Sequence, residues 1–206
     1  DELSTVSTYS GVSKEAAEES YRAGIGTVCE KLYACSSREY PAMLFYCFRR
    51  NDLACIQHGG ARRNQSAWEL MLESLLSAGF SITAVWPMRS EPASEKADST
   101  RVLIVARKGH GRQGQVTRRG FVHTLKRELP ARLGRLWSGH VPPEDQLLSS
   151  MGQGLAVFSQ YRSVLNADGS AMCVHDALQV IYLECEDDIA QRNAAASACA
   201  AETKEG

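Results

Sequence analysis

Trp86 and Arg89 flank a short segment containing Pro87 in "SITAVWPMRSE", residues 81–91, where an apolar run gives out. An indole offers a flat polarisable face and a guanidinium a planar fork of donors, so the pair could hold a planar ligand on one side and an anion on the other. The same alternation places Trp86 on a strand face with Ile82 and Ala84, where it would pack against a helix instead. Both readings stay open at this point.

A second set of residues is cationic. Between Arg107 and Arg135 the chain carries nine basic residues and one acid, Glu128, although the net charge of all 206 residues is only −1. The remainder is therefore acidic, and the segregation creates a local positive field that suits a polyanionic partner. These charges do not repeat on one narrow helical face, so a general solvated surface is the competing reading. The seven cysteines, at 29, 35, 47, 55, 173, 185 and 199, form no Cys-x-x-Cys pair, and no histidine stands at helical spacing to another. Reduced, mostly buried thiols and no metal are expected.

These groups need elements to carry them. With 44% hydrophobic residues, 206 residues can bury one substantial core. No apolar run reaches the roughly 18–20 residues that span a bilayer, and the first residues lack the order of a signal peptide, so no membrane and a cytoplasmic location are expected. The chain begins at Asp1 rather than Met, so an incomplete reading frame is one expectation. Ser13 is expected to cap a first helix with Ala17, Tyr21, Ile25, Val28 and Leu32 on one face. "AMLFYCF" reads as a strand buried on both faces, and residues 52–65 as a loop. Ser66 and Glu69 make a capping box for a second helix, whose stripe includes Trp68, and Gly79 ends it. Strands over Ser81–Trp86 and "RVLIVAR" follow. Helix-separated strands imply a parallel sheet, with "RVLIVAR" as an antiparallel strand at its edge and the two helices on its faces.

Beyond Gly109, "HGRQGQV" reads as a polar linker. A basic helix then runs from Arg118 to Trp137, kinked or restarted at Pro130. "VPPEDQLLSSMG" reads as a short helix entered through prolines, and the segment around Asp168-Gly169 as a small hairpin. A last helix spans Val174 to Ile189. The expected organisation is an α/β unit over 1–110, a mostly helical appendage over 111–192, and a frayed tail over 193–206.

The segments "WELMLESLLSAGFSITAVWPMRSE", "VLIVARK", "RRGFVHTLKRELPARLGRLWSG" and "GQGLAVFSQYRSVLNADGSAMCVHDAL" resemble, in this order, the carboxyl-terminal portion of a family of bacterial adenine-specific DNA methyltransferases described as anti-phage-associated and as containing a zinc ribbon. The resemblance runs from about Glu2 to Leu183. It implies the second half of a doubly wound, Rossmann-like sheet of methyltransferase type. It also implies an S-adenosylmethionine-dependent activity on the exocyclic amine of adenine, with DNA as partner. The family's Gly-rich cofactor loop and Asp-Pro-Pro-Tyr motif lie upstream of the matched region and are absent, as is the zinc ribbon. Gly24-x-Gly26 falls inside the first helix rather than after a strand, which is the wrong context for a cofactor loop.

The chain is thus expected to be a fragment that needs the missing amino-terminal half, binds no S-adenosylmethionine alone and carries no catalytic residue. What it would contribute is Trp86 as a stacking face for the extruded base. Arg89, Lys108, Arg118, Arg119, Lys126 and Arg127 are the expected contacts to nucleic acid. The alternative is a stand-alone nucleic-acid-binding or interaction module on a methyltransferase-derived fold.

Overall fold

A computed structural model of the chain describes residues 14–57, 66–88, 99–109, 113–139 and 141–202. Ser13 and Arg89 lie outside them. The elements are α1 (Lys14–Cys35), β1 (Ala42–Arg49), α2 (Arg50–Gln57), α3 (Ala67–Ala78), β2 (Phe80–Met88), β3 (Ser99–Lys108), β4 (Gln113–Thr117), α4 (Arg118–Ser138), α5 (Pro143–Phe158), β5 (Tyr161–Leu165) and α6 (Val174–Glu202). The fold is mixed α/β, with an antiparallel three-stranded sheet in the order β1-β3-β2 and a parallel pair, β4-β5.

The three strands expected to share a sheet do so, and β3 is antiparallel to β2. Its position corrects the expectation. β3 lies in the centre and pairs with β1 as well, so β1 and β2 run in the same direction without touching. A central place suits its sequence, because Val102, Ile104 and Ala106 are wholly buried on one face while Leu103 and Val105 half-cover the other. β2 is an edge strand, and that is why it can continue through Pro87: a residue without an N–H is tolerated where one side of the strand has no partner.

α1 and α3, the two helices expected on the faces of the sheet, pack on the same face rather than on opposite ones. From α1, Tyr33 stands edge-on to Phe80 at 5.1 Å; from α3, Trp68 meets Tyr46 and Phe48 of β1 at 5.1 and 5.3 Å. α1 buries Ala17, Ile25 and Cys29, whereas Val28, expected on that stripe, is 49% exposed. The start of α3 is the capping box expected: Glu69 N–H donates to the Ser66 hydroxyl at 3.2 Å and Ser66 N–H to the Glu69 carboxylate at 3.0 Å. Gly79 closes the helix at φ 107°, donating to Leu75 and Leu76 carbonyls.

Of residues 52–65, read as loop, 52–57 belong to α2 and 58–65 lie outside the described residues. Asp52 starts the helix, accepting the Arg49 backbone N–H at 2.8 Å, and Ile56 is buried. "QGQVT", read as linker, is β4. Its five residues are polar except Val116, and its partner lies some fifty residues on, so nothing local marks it as a strand. The expected hairpin shrinks to a tight turn at Asp168-Gly169 with one antiparallel bridge, Leu165 to Ala171, because "AVF" belongs to α5 and β5 pairs with β4 instead. α4 is continuous through Pro130, α5 has Pro143 in its first turn, and α6 continues to Glu202, well past the expected end at Ile189 and through the stretch expected to fray.

One hydrophobic cluster joins everything from Ile25 to Cys185, so no break in the core falls near residue 110. α5 runs antiparallel against β2: Gly152 lies against Val85, and the Ser159 hydroxyl donates to the Ile82 carbonyl at 2.8 Å. α6 is tied to α3 by a buried chain in which Glu69 Oε1 meets His175 Nδ1 at 2.8 Å and Gln179 Nε2 meets His175 Nε2 at 3.0 Å. Both ring nitrogens are spent inside the core.

Two glycines separate helix economy from close packing. A Cβ on Gly26 would meet nothing within 4 Å, whereas one on Gly152 would lie 2.6 Å from the Val85 backbone nitrogen. Gly26→Ala should therefore stabilise the chain by about 0.5–1 kcal/mol. Gly152→Ala should destabilise it by roughly 1–3 kcal/mol through overpacking. Urea unfolding of both variants checks this, and a neutral Gly152→Ala would contradict the packing of α5 on β2.

Candidate functional site

The face of the sheet opposite α1 and α3 is built from alternate residues. β1 contributes Met43, Phe45 and Cys47; β3 contributes Arg101, Leu103, Val105 and Arg107; β2 contributes Ala84, Trp86 and Met88. The register sets Phe45 against Leu103 and Leu103 against Trp86, so three large apolar side chains form one row across the strands. Met43 is 65% exposed, Phe45 69%, Trp86 39% and Met88 42%. A sheet face packed on a core and a face this apolar left open are not the usual pairing in an antiparallel sheet, whose outer residues are ordinarily polar.

"AMLFYCF" is consequently not buried on both faces. Its apolar residues alternate between the core and the open side, and the sequence pattern cannot distinguish an apolar face that is covered from one that is bare.

A one-residue irregularity in β2 decides where Trp86 points. Ile82 pairs with Ala106 and Ala84 with the next residue, Val105, leaving Thr83 as an extra residue whose hydroxyl donates to the Val105 carbonyl at 3.1 Å. A bulge of this kind turns the following side chains over. Ile82 and Val85 then enter the core, while Ala84 and Trp86 take the open face. Trp86 therefore does not share a face with Ile82, and the helix it was weighed against does not lie over it.

The cationic residues are dispersed. Lys108 lies on the covered side, where Nζ donates to the carbonyls of Ala34 at 3.2 Å and Ser36 at 3.3 Å and stands 4.8 Å from the Tyr33 ring centroid. A lysine so placed caps the last turn of α1, favourable at the negative end of a helix, and its charge is engaged by the chain itself. Lys126 pairs with Glu184 at 3.2 Å and Arg127 with Glu128 at 3.4 Å. Arg118 and Arg119 are exposed in the first turn of α4, which has no acid. Among the described residues neither has an ion-pair partner. Two arginines beside the positive end of a helix, where acids are favoured, raise the potential there further.

α4 buries Phe121, Leu125, Leu129 and Leu133, so Arg119, His123, Lys126 and Arg127, at spacings of four, seven and eight, share its outward side. That partial alignment is missed when all nine bases of the stretch are weighed together. α5 packs between β2 and α4, so Trp86 and the α4 arginines occupy different elements of the molecule.

Two further groups of functional residue types escape sequence reasoning. At the end of β1, Asp52 is buried and accepts from the Arg49 N–H and, at 3.4 Å, from the Tyr46 hydroxyl. Burial raises the Asp52 carboxyl above its ordinary range, against the pull of the backbone N–H groups of Arg49 and Trp68 and the Tyr46 hydroxyl; burial and the Asp52 charge raise the Tyr46 phenol too. This cluster fixes the β1–α2 corner. A cavity of about 230 Å³ lies between α3, α5, β5 and the start of α6, lined by Glu73, Phe158, Arg162, Val164 and Cys173 among others. None of the expected site residues reaches it.

Of the six cysteines among the described residues, none in a disulfide, only Cys29 and Cys185 are buried, fewer than expected. Burial pushes the Cys29 thiol up to about 11 and raises that of Cys185 as well, so both are poor nucleophiles. Among the described residues no cluster of three histidine, cysteine or acidic side chains could hold a metal ion, and no helix is long and apolar enough to cross a membrane. Gly24 and Gly26 lie within α1, and the space around Gly26 is open, so this pair does not form a cofactor loop.

Comparison of the chain with family models, with curated proteins and with solved structures finds no match in any of the three.

The open face makes a direct stability prediction. Trp68 is 1% exposed and should cost roughly 3–5 kcal/mol when replaced by alanine. Trp86→Ala should cost well under half as much, because the side it presents is bare. Equal losses in denaturant titrations would place Trp86 in the core and dissolve the site.

Proposed function

We propose that this chain is the carboxyl-terminal portion of an S-adenosylmethionine-dependent enzyme that methylates the exocyclic amine of adenine in DNA, and that it is inactive by itself. The observation that carries the proposal is the unfinished state of the sheet. β1 and β2 run the same way, as strands of a larger parallel sheet would, although the reversed β3 lies between them and not at the edge where the resemblance put it. Among the described residues the outer edge of β1 has no strand neighbour, and the open face has no helix over it. An eight-residue edge and an apolar face are both liabilities for an independent domain and both natural where more sheet and more helices adjoin.

In this reading the residues of the chain hold rather than transform. Trp86, partly open near the end of β2, offers its indole to a base taken out of the duplex, since ligands of doubly wound sheets sit beyond the carboxyl ends of the co-directional strands. Arg118 and Arg119 contact backbone phosphates, with Lys126 and Arg127 contributing less because acids already engage them. The cofactor, bound by the other half, supplies the methyl group. No step is assigned to residues of this chain.

The alternative, a stand-alone interaction module, draws on the single core that joins the described residues from Ile25 to Cys185 and on the same open face. A reconstituted protein separates the two. Joined to an amino-terminal half of the family, the chain should transfer labelled methyl groups to adenine in duplex DNA. Trp86→Ala should then lower transfer by roughly 1–3 kcal/mol of base stacking without a matching loss of stability. Gln at Arg118 and Arg119 should flatten the salt dependence of DNA binding by about 0.9 log unit per lost phosphate contact. An inert joined protein that still binds other macromolecules through the sheet would favour the module.

A further inference from the structure

We infer that the open sheet face is the seat of an amphipathic helix whose apolar stripe is flanked by acidic residues; this rests on the reading of the sheet as incomplete and names the chemistry of what completes it. The three strands contain no aspartate or glutamate at all. The alternation that brings Met43, Phe45, Trp86 and Leu103 to the open side also brings Arg101 and Arg107, one toward each end of β3. Arg101 is exposed, and among the described residues it has no partner; Arg107 is half-buried and donates to the Glu39 backbone carbonyl at 3.3 Å. The three strands thus give the face an apolar strip with a cation toward either end and no anion of their own.

That charge pattern selects among occupants. A second copy laid face to face would bring arginines against arginines with no acid from any of the three strands between them, which costs rather than gains. A helix with acids along both margins meets each guanidinium while its stripe covers Met43, Phe45 and Leu103 over β1 and β3 and borders Trp86 on β2, whose indole stays open toward the strand end. Length agrees as well, because a ten-residue strand and a helix of roughly 20 residues both extend about 30 Å.

The test uses the full chain and two synthetic helical peptides of the same apolar stripe, one with glutamate margins and one with lysine margins. Trp86 emission reports binding, and Trp86→Phe should abolish the signal change. The glutamate peptide should bind at least about tenfold more tightly than the lysine peptide. Phe45→Glu should remove binding, and Arg101→Glu should shift preference toward the lysine peptide. Both side chains are exposed, so both variants should fold, which circular dichroism checks.

Equal affinity for the two peptides, binding indifferent to Phe45→Glu or Arg101→Glu, or no binding to either would overturn the inference. So would sedimentation showing the chain paired with itself through a contact that Phe45→Glu dissolves. If both peptides fail while the reconstituted protein methylates DNA, the inference falls and the functional reading stands. If the glutamate peptide binds as expected and the reconstituted protein is inert, the reverse holds.

Discussion

β3 gives its backbone donors and acceptors to a strand on each side, and this double pairing fixes which side chains of all three strands meet the core and which meet water. With Val102, Ile104 and Ala106 turned inward, Leu44, Tyr46 and Ile82 are bound by register to turn inward beside them. Met43, Phe45 and Leu103 are bound to turn out. The extra residue at Thr83 then reverses β2 alone, so that Val85 rather than Ala84 enters the core, where Gly152 of α5 lies against it. The bulge, the missing Cβ on α5 and the exposure of Trp86 are one arrangement. Removing the bulge would swing Trp86 inward against a helix that has no room for it.

The covered side is held by contacts of a different kind. Glu69 serves two masters, closing the cap of α3 with one oxygen and holding His175 of α6 with the other. Because both oxygens are occupied and the histidine is satisfied at both nitrogens, a polar group that is wholly buried carries little of the penalty that an unpaired one would. This is how the region after residue 110 comes to share a core with the sheet instead of hanging from it. The same logic explains Lys108, whose position on the covered face gives it the carbonyls of α1 rather than an anion.

What was legible in the residues depended on whether the signal was local. The capping box at Ser66 and Glu69, the stop at Gly79, and the apolar strands announce themselves within a few positions, and the structure has them. The place of β3 does not, because strand order depends on partners far away in sequence; a strand that follows another without a helix between them can sit inside the sheet as readily as at its edge. β4 was invisible for the same reason: its partner is β5, and its own residues are almost all polar. Trp86 was legible as a residue of interest from its place before a proline. Its orientation was not, since period-two alternation assumes no bulge. Phe45 and Met43 were hidden altogether, as an unbroken apolar run looks the same whether its second face is covered or bare.

Among the described residues β3 is paired on both sides and β1 on one, and residue-resolved amide hydrogen exchange measures that directly. Amides throughout the middle of β3 should be the most protected in the sheet, with no alternation along the strand. In β1, amides directed at β3 should be protected and those directed away should exchange nearly as fast as in an unstructured peptide. Protection alternating along β3, or uniform along β1, would contradict the order β1-β3-β2 and, with it, the bare edge and face on which the functional reading depends.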